Sequence, residues 1–159
     1  MSKKNKEKDF LKQAYILDRQ MKLIQEKIDK IMSMVEYKSP NFDGGGGSRT
    51  SADQKLTTAI AKAEAFEGQM KELRADYITK YLEIEEAIRT VDDLIEREVL
   101  TRRYLFYENW ESKFDKKTGQ YVIGIAEKMG YSEQNIYRKH GKALKKIRIP
   151  EKMRVNESE

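Results

Sequence analysis

The sequence predicts a mainly all-α protein: a long helical hairpin or coiled coil, then a compact helical module carrying a small β-hairpin wing at about 113–123. Three observations lead there. Apolar residues recur at helical spacing in a chain that is 37% charged, a composition suited to long helices rather than to a sandwich or a doubly wound sheet. Only two prolines, Pro40 and Pro150, interrupt 159 residues. The positive charge is confined to one end: residues 1–93 carry 17 basic and 17 acidic side chains, whereas residues 94–154 carry 15 against 8. That asymmetry points to a localised anionic partner.

The first helix begins near Phe10. Phe10, Leu17, Ile24 and Ile31 occupy one heptad position and Ala14, Met21, Ile28 and Val35 the other, which is the seam of a coiled coil or helical hairpin. The pattern stops at Pro40 and the four glycines that follow Asp43. Residues 38–53 are expected to form a flexible loop, since they offer nothing to offset the entropy of ordering them. No strand precedes the glycines and no Gly-Lys-Ser/Thr follows them, so a phosphate-binding loop is not expected.

Seven-residue spacing resumes with Leu56, Ala63, Met70, Tyr77, Ile84 and Val91, partnered by Ala59, Phe66 and Leu73 until Lys80. Tyr81, Ile88 and Ile95 take over one position later, as a stripe drifting around a straight helix would. A helix from about Ser51 to Ile88 can fold back on the first, and two such hairpins can bury their stripes in a homodimer through the N-terminal helices. Thr90 and Asp93 have the spacing of a capping box, which predicts a new helix from about Val91 through Trp110. The chain therefore divides into an oligomerisation region at 1–90, a second module at 91–150 and a flexible tail at 151–159.

Between Trp110 and Ile123, apolar residues flank Lys116-Lys117-Thr118-Gly119, the form of a short hairpin closed by a left-handed glycine. Lys116 and Lys117 at its tip are candidate phosphate contacts.

The next stretch has the spacing of a helix-turn-helix centred on Gly130. Ile125 and Met129 fall where the first helix faces the core, and Ala126 where the helices approach most closely. Tyr131, Ile136 and Leu144 supply apolar contacts beyond the turn, and Ser132 is a natural N-cap. Projecting 132–147 as a helix puts Ile136, His140, Ala143, Leu144 and Ile147 on one face. Gln134, Arg138, Lys142 and Lys145 fall opposite, with Asn135, Lys139 and Lys146 on one flank and Tyr137 on the other. Arg pairs with the guanine edge and Gln or Asn with the adenine edge from a helix in the major groove, which makes Gln134, Arg138 and Asn135 candidates for base reading. Lys139, Lys142, Lys145, Lys146 and Tyr137 suit phosphates, whose contacts position without reading sequence. His140, the single histidine, lies on the core face.

"EREVLTRRYLFYENWES" with "IAEKMGYSEQNIYRKHGKALKKIR" resembles the C-terminal promoter-binding domain of bacterial housekeeping sigma factors. It is more similar still to the RinA/ArpU-like late-gene activators of Gram-positive phages, over about residues 92–148, with likeness of architecture alone over 10–90. The resemblance implies a sigma-like helix-turn-helix in a phage transcriptional regulator of late genes, with Glu133, Gln134 and Arg138 at base-reading positions and Tyr137 at a phosphate-contacting one. The sequence departs from the pattern in "KFDKKTGQYVIG" and at Lys139, where an apolar residue is usual.

The expected function is thus sequence-specific binding of double-stranded DNA to regulate transcription. Two other readings share these features: a DNA-packaging adaptor similar to a small terminase subunit, and a sigma-like module docking on host RNA polymerase. No nucleophile paired with a base and no cluster of metal ligands occurs, and cysteine is absent, so neither an enzyme nor a metal or other cofactor is expected. No apolar segment follows the N-terminal lysines and none of eighteen residues occurs anywhere, from which a cytoplasmic protein of a bacterial host is expected, with no membrane partner.

Overall fold

The computed structural model describes residues 5–37 and 49–151, without the side chains of residues 37, 49 and 50. It is mainly helical with one small two-stranded hairpin, in the order α1 (Lys6–Leu11), α2 (Gln13–Tyr37), α3 (Arg49–Arg89), α4 (Leu94–Tyr104), β1 (Lys113–Asp115), β2 (Gln120–Val122), α5 (Ile125–Met129) and α6 (Glu133–Lys146). No helix among the described residues is long and apolar enough to cross a membrane.

Two compact units divide the chain: residues 17–77, and a unit joining the described residues up to Ile16 with those from Ile78 onward. In the first, Ile24 and Ile28 of α2 are buried with Met70 of α3, and Met21, Phe66 and Leu73 close around them. Lys27 lays its ammonium 5.6 Å from the Phe66 ring centroid. This is the expected seam, but only its centre is buried: Leu17, Ile31, Val35, Leu56 and Tyr77 remain half-exposed, as a two-helix layer must leave them.

The heptad does not begin at Phe10. The helix is interrupted at Lys12, and Phe10, Leu11 and Ala14 are buried in the unit that holds the C-terminal helices. Tyr15 meets Tyr107 edge to face at 5.4 Å there. Burial of a large aromatic in that core outweighs continuation of the stripe. The domain expected to start at residue 91 therefore also contains residues 5–16 and 78–90.

Pro40 and the glycines lie outside the described residues, as does the expected tail beyond Glu151. Residues 49–53, assigned to the loop, instead form the start of α3. The capping residue also differs. Asp93 is itself the N-cap, its carboxylate accepting from the Glu96 amide at 2.9 Å, and α4 starts at Leu94. Thr90 serves another purpose: its hydroxyl donates to the Ala87 carbonyl at 2.6 Å and accepts from the Arg148 amide at 3.0 Å. Fully buried Val91 sits between the two helices.

Helix α4 stops at Tyr104, well short of Trp110. The chain then leaves the helical region at Tyr107, whose φ of 56° is the left-handed conformation that ends helices. Val99, Leu100 and Tyr104 form the buried face of α4, against which α6 packs. Val99, Ile125, Ala126 and Ile136 make one core cluster, closed by Trp110, Met129 and Tyr131.

The wing is present. Lys113, Phe114 and Asp115 pair antiparallel with Val122, Tyr121 and Gln120. Asp115 organises the turn by accepting from the Lys117 amide at 2.9 Å and the Thr118 hydroxyl at 3.0 Å, and Gly119 closes it at φ 69°.

Candidate nucleic-acid interface

Helix α5 ends at Gly130, whose φ of 71° is the left-handed conformation open to glycine. The Tyr131 amide reaches back to the Ala126 carbonyl at 3.0 Å, which sets the angle of the turn. Ser132 caps α6 by accepting from the Asn135 amide at 3.2 Å. Of the residues assigned to the helix-turn-helix core, Ile125, Ala126, Ile136 and Leu144 are buried, Met129 and Tyr131 are half-buried, and Gly130 is exposed at the turn.

The inner face of α6 is locked by polar as well as apolar contacts. His140 is buried with Nε2 2.8 Å from the Tyr104 hydroxyl. Its ring stacks on Tyr104 and meets Trp110 edge to face at 4.8 Å. Burial, reinforced by the charges of Lys8 and Arg103, pushes the imidazole down to about 4, so it is neutral at physiological pH. Burial likewise pushes the Tyr104 phenol up to about 12. Arg103 lies over the Trp110 ring at 5.0 Å and donates to the Glu108 carbonyl at 3.0 Å.

The outer face is different in kind. Gln134, Arg138, Lys142 and Lys145 are all exposed, and among the described residues none of the three cations has an ion-pair partner. Glu133 is exposed in the first turn and Asn135 half-buried. No family model, curated protein or solved structure matches the chain.

Three of the expected phosphate contacts are engaged within the protein. Lys146 Nζ lies 2.8 and 3.1 Å from the two carboxylate oxygens of Glu96, a buried acid that would be costly without a cation; the Glu96 hydrogen bond holds the ammonium above its usual range. Lys146 is thus a brace between α6 and α4. Lys139 is half-buried with its ammonium 5.1 Å from the Tyr131 ring centroid, which is how a lysine fits at a position that usually takes an apolar residue. Tyr137 packs edge to face on Trp110 at 5.5 Å and its hydroxyl donates to Glu111 at 3.4 Å. Lys116 and Lys117 are exposed at the tip of the wing.

The wing is held beside α6 by a polar latch that the sequence did not disclose. Glu127 of α5 accepts from the Ser112 and Tyr121 hydroxyls, the latter at 3.2 Å, and the Ser112 hydroxyl accepts from the Gly124 amide at 2.9 Å. Gly124 is obligatory here: a Cβ would stand 2.7 Å from the Glu111 carbonyl oxygen and the Ser112 amide. A glycine just before a short helix was the one available sign of so close an approach. Between the wing and the start of α6 lies an open groove of about 630 Å3, lined by Tyr121 and Glu127 on one side and by Ser132, Glu133 and Gln134 on the other.

Proposed function

We propose that this chain is a sequence-specific, double-stranded-DNA-binding transcriptional regulator of phage or prophage origin, acting in the cytoplasm of a bacterial host. Its affinity with the RinA/ArpU-like regulators of late phage genes rests on the sequence resemblance. The observation that carries the DNA reading is the row Gln134, Arg138, Lys142 and Lys145, exposed along α6 and lacking internal ion pairs among the described residues, on a helix whose other face is fixed by α4 and the helix-turn-helix turn. A helix presented in this way enters the major groove with the side chains near its N-terminus on base edges. Gln134 and Arg138 then read bases with Glu133 and Asn135 beside them, while Lys142, Lys145 and the wing lysines hold phosphates. Exposed Leu23, Met34 and Ile60 in the hairpin unit favour a homodimer, which would place two reading heads on one site.

The test is selection of bound duplexes from a random pool at moderate salt, where lysine contacts alone do not dominate. The proposal expects an enriched motif, repeated if the protein binds as a dimer. Retention of all duplexes alike, or of none, would contradict it.

A further inference from the structure

The strongest unassigned surface is one face of the wing. In an antiparallel ribbon directly opposed residues share a face, with Cβ atoms about 5 Å apart. Phe114 and Tyr121 are such a pair, and they are 61% and 59% exposed. Neither ring meets another aromatic ring among the described residues. Two neighbouring aromatics open to solvent forgo the burial that stabilises such side chains elsewhere.

This face is also held in place. The Tyr121 hydroxyl donates to Glu127 at 3.2 Å, and Ser112, just before β1, meets the same carboxylate. Tyr121 is thereby fixed at its hydroxyl while it lines the open groove beside α6.

Charge decides what can lie there. Lys113, Lys116 and Lys117 are exposed, and none has an acidic partner among the described residues. Asp115, the acid of the ribbon, is committed to the turn, where it accepts from the Lys117 amide and the Thr118 hydroxyl. A polyanion therefore finds unpaired ammonium groups around two open rings. Duplex DNA would use the lysines alone, because its bases stack on one another and present only their edges. Aromatic faces set among cations are the chemistry that holds an unpaired strand, its backbone by charge and its bases by stacking.

We infer that the face carrying Phe114 and Tyr121 binds a short unpaired stretch of nucleic acid, with bases stacked on the two rings and the flanking phosphates on Lys116 and Lys117. An acidic protein segment is the poorer match. Its carboxylates would run along the ribbon past Glu127, whereas a nucleotide strand sets its phosphates at the lysine-bearing tip and its neutral bases over the rings. The inference goes beyond the duplex-binding reading and does not rest on it.

The experiment titrates the full chain, without duplex, into a fluorescein-labelled dodecathymidylate and its uridylate counterpart at physiological ionic strength and reads anisotropy. Phe114→Leu keeps an apolar side chain but loses the ring face, and should weaken binding about fivefold or more, as loss of stacking under one base would. Phe114→Trp should bind at least as tightly as the parent. Affinity of Phe114→Leu for duplex DNA should change by less than about twofold. Circular dichroism checks that both variants are folded. Whichever strand binds more tightly, with this dependence on the ring, assigns the source to DNA or RNA.

The inference is overturned if neither strand binds, if Phe114→Leu binds as the parent does, or if it loses strand and duplex alike, which would put the rings on duplex DNA. It is also overturned if a polyglutamate of equal charge binds as tightly as the strand and responds to Phe114→Leu in the same way, since the occupant would then be an acidic protein segment. No duplex enters the titration, so its failure leaves the reading of α6 standing, and failure of the duplex selection leaves this inference standing.

Discussion

His140 shows how one residue ties helix α6 to its support. In the fold its imidazole is depressed to about 4 from an ordinary value of 6.5, chiefly by burial. The unfolded chain therefore binds the proton more tightly, and the stabilisation present above pH 6.5 is lost as pH falls from there toward 4. The loss is on the order of 2 kcal/mol once partial solvation is allowed for. Urea midpoints at pH 7.5 and 5.0 should differ by more in the parent than in His140→Phe; an equal difference would remove His140 from the account. Its place on the core face was legible from helical projection, as were the Ser132 cap and the turn at Gly130, because each depends on neighbours within one or two turns. The engagement of Lys146 by Glu96 was not, since 50 residues separate them and local pattern cannot tell a paired lysine from a free one.

At the scale of elements, the wing is the part whose role depends most on placement. Its strands and turn follow from local chemistry: Asp115 and Gly119 flank the two lysines and close the hairpin. Its orientation comes from Glu127, Ser112 and Gly124, which no periodicity reveals. If the latch holds Lys116 and Lys117 against the duplex backbone, replacing both with alanine should flatten the dependence of log affinity on log salt by up to about 2, or about 0.9 for each phosphate released. Titrations over a range of salt concentrations read this directly, and an unchanged slope would show that the wing stands clear of the DNA. The junction of α3 and α4 is a second lesson at this scale. Thr90 and Asp93 have capping-box spacing, yet Asp93 became the cap because burial of Val91 fixes the chain between the helices and leaves Thr90 to bind Ala87 and Arg148.

Over the whole molecule, the sequence order and the folded units do not coincide. The stripe of the hairpin was readable from Leu17 onward, but Phe10 and Ala14 fit the same heptad and, together with Leu11, are nevertheless buried in the unit of the helix-turn-helix. Only a tertiary core could decide between two apolar destinations of equal periodicity. Phe10→Ala should therefore destabilise the unit that holds α4 to α6 by roughly 3–5 kcal/mol, read by the fluorescence of Trp110, the single tryptophan, in denaturant. No shift in the midpoint would mean that residues 5–16 contribute nothing to that unit. The central claim is that the outer face of α6 reads duplex DNA, and the most direct measurement compares the full chain with Arg138→Ala and Lys145→Ala on a selected duplex and on a scrambled one. Arg138→Ala should lose on the order of 1–3 kcal/mol on the selected duplex and little on the scrambled one, while Lys145→Ala loses alike on both. Equal losses on both duplexes from both substitutions would contradict base reading by α6.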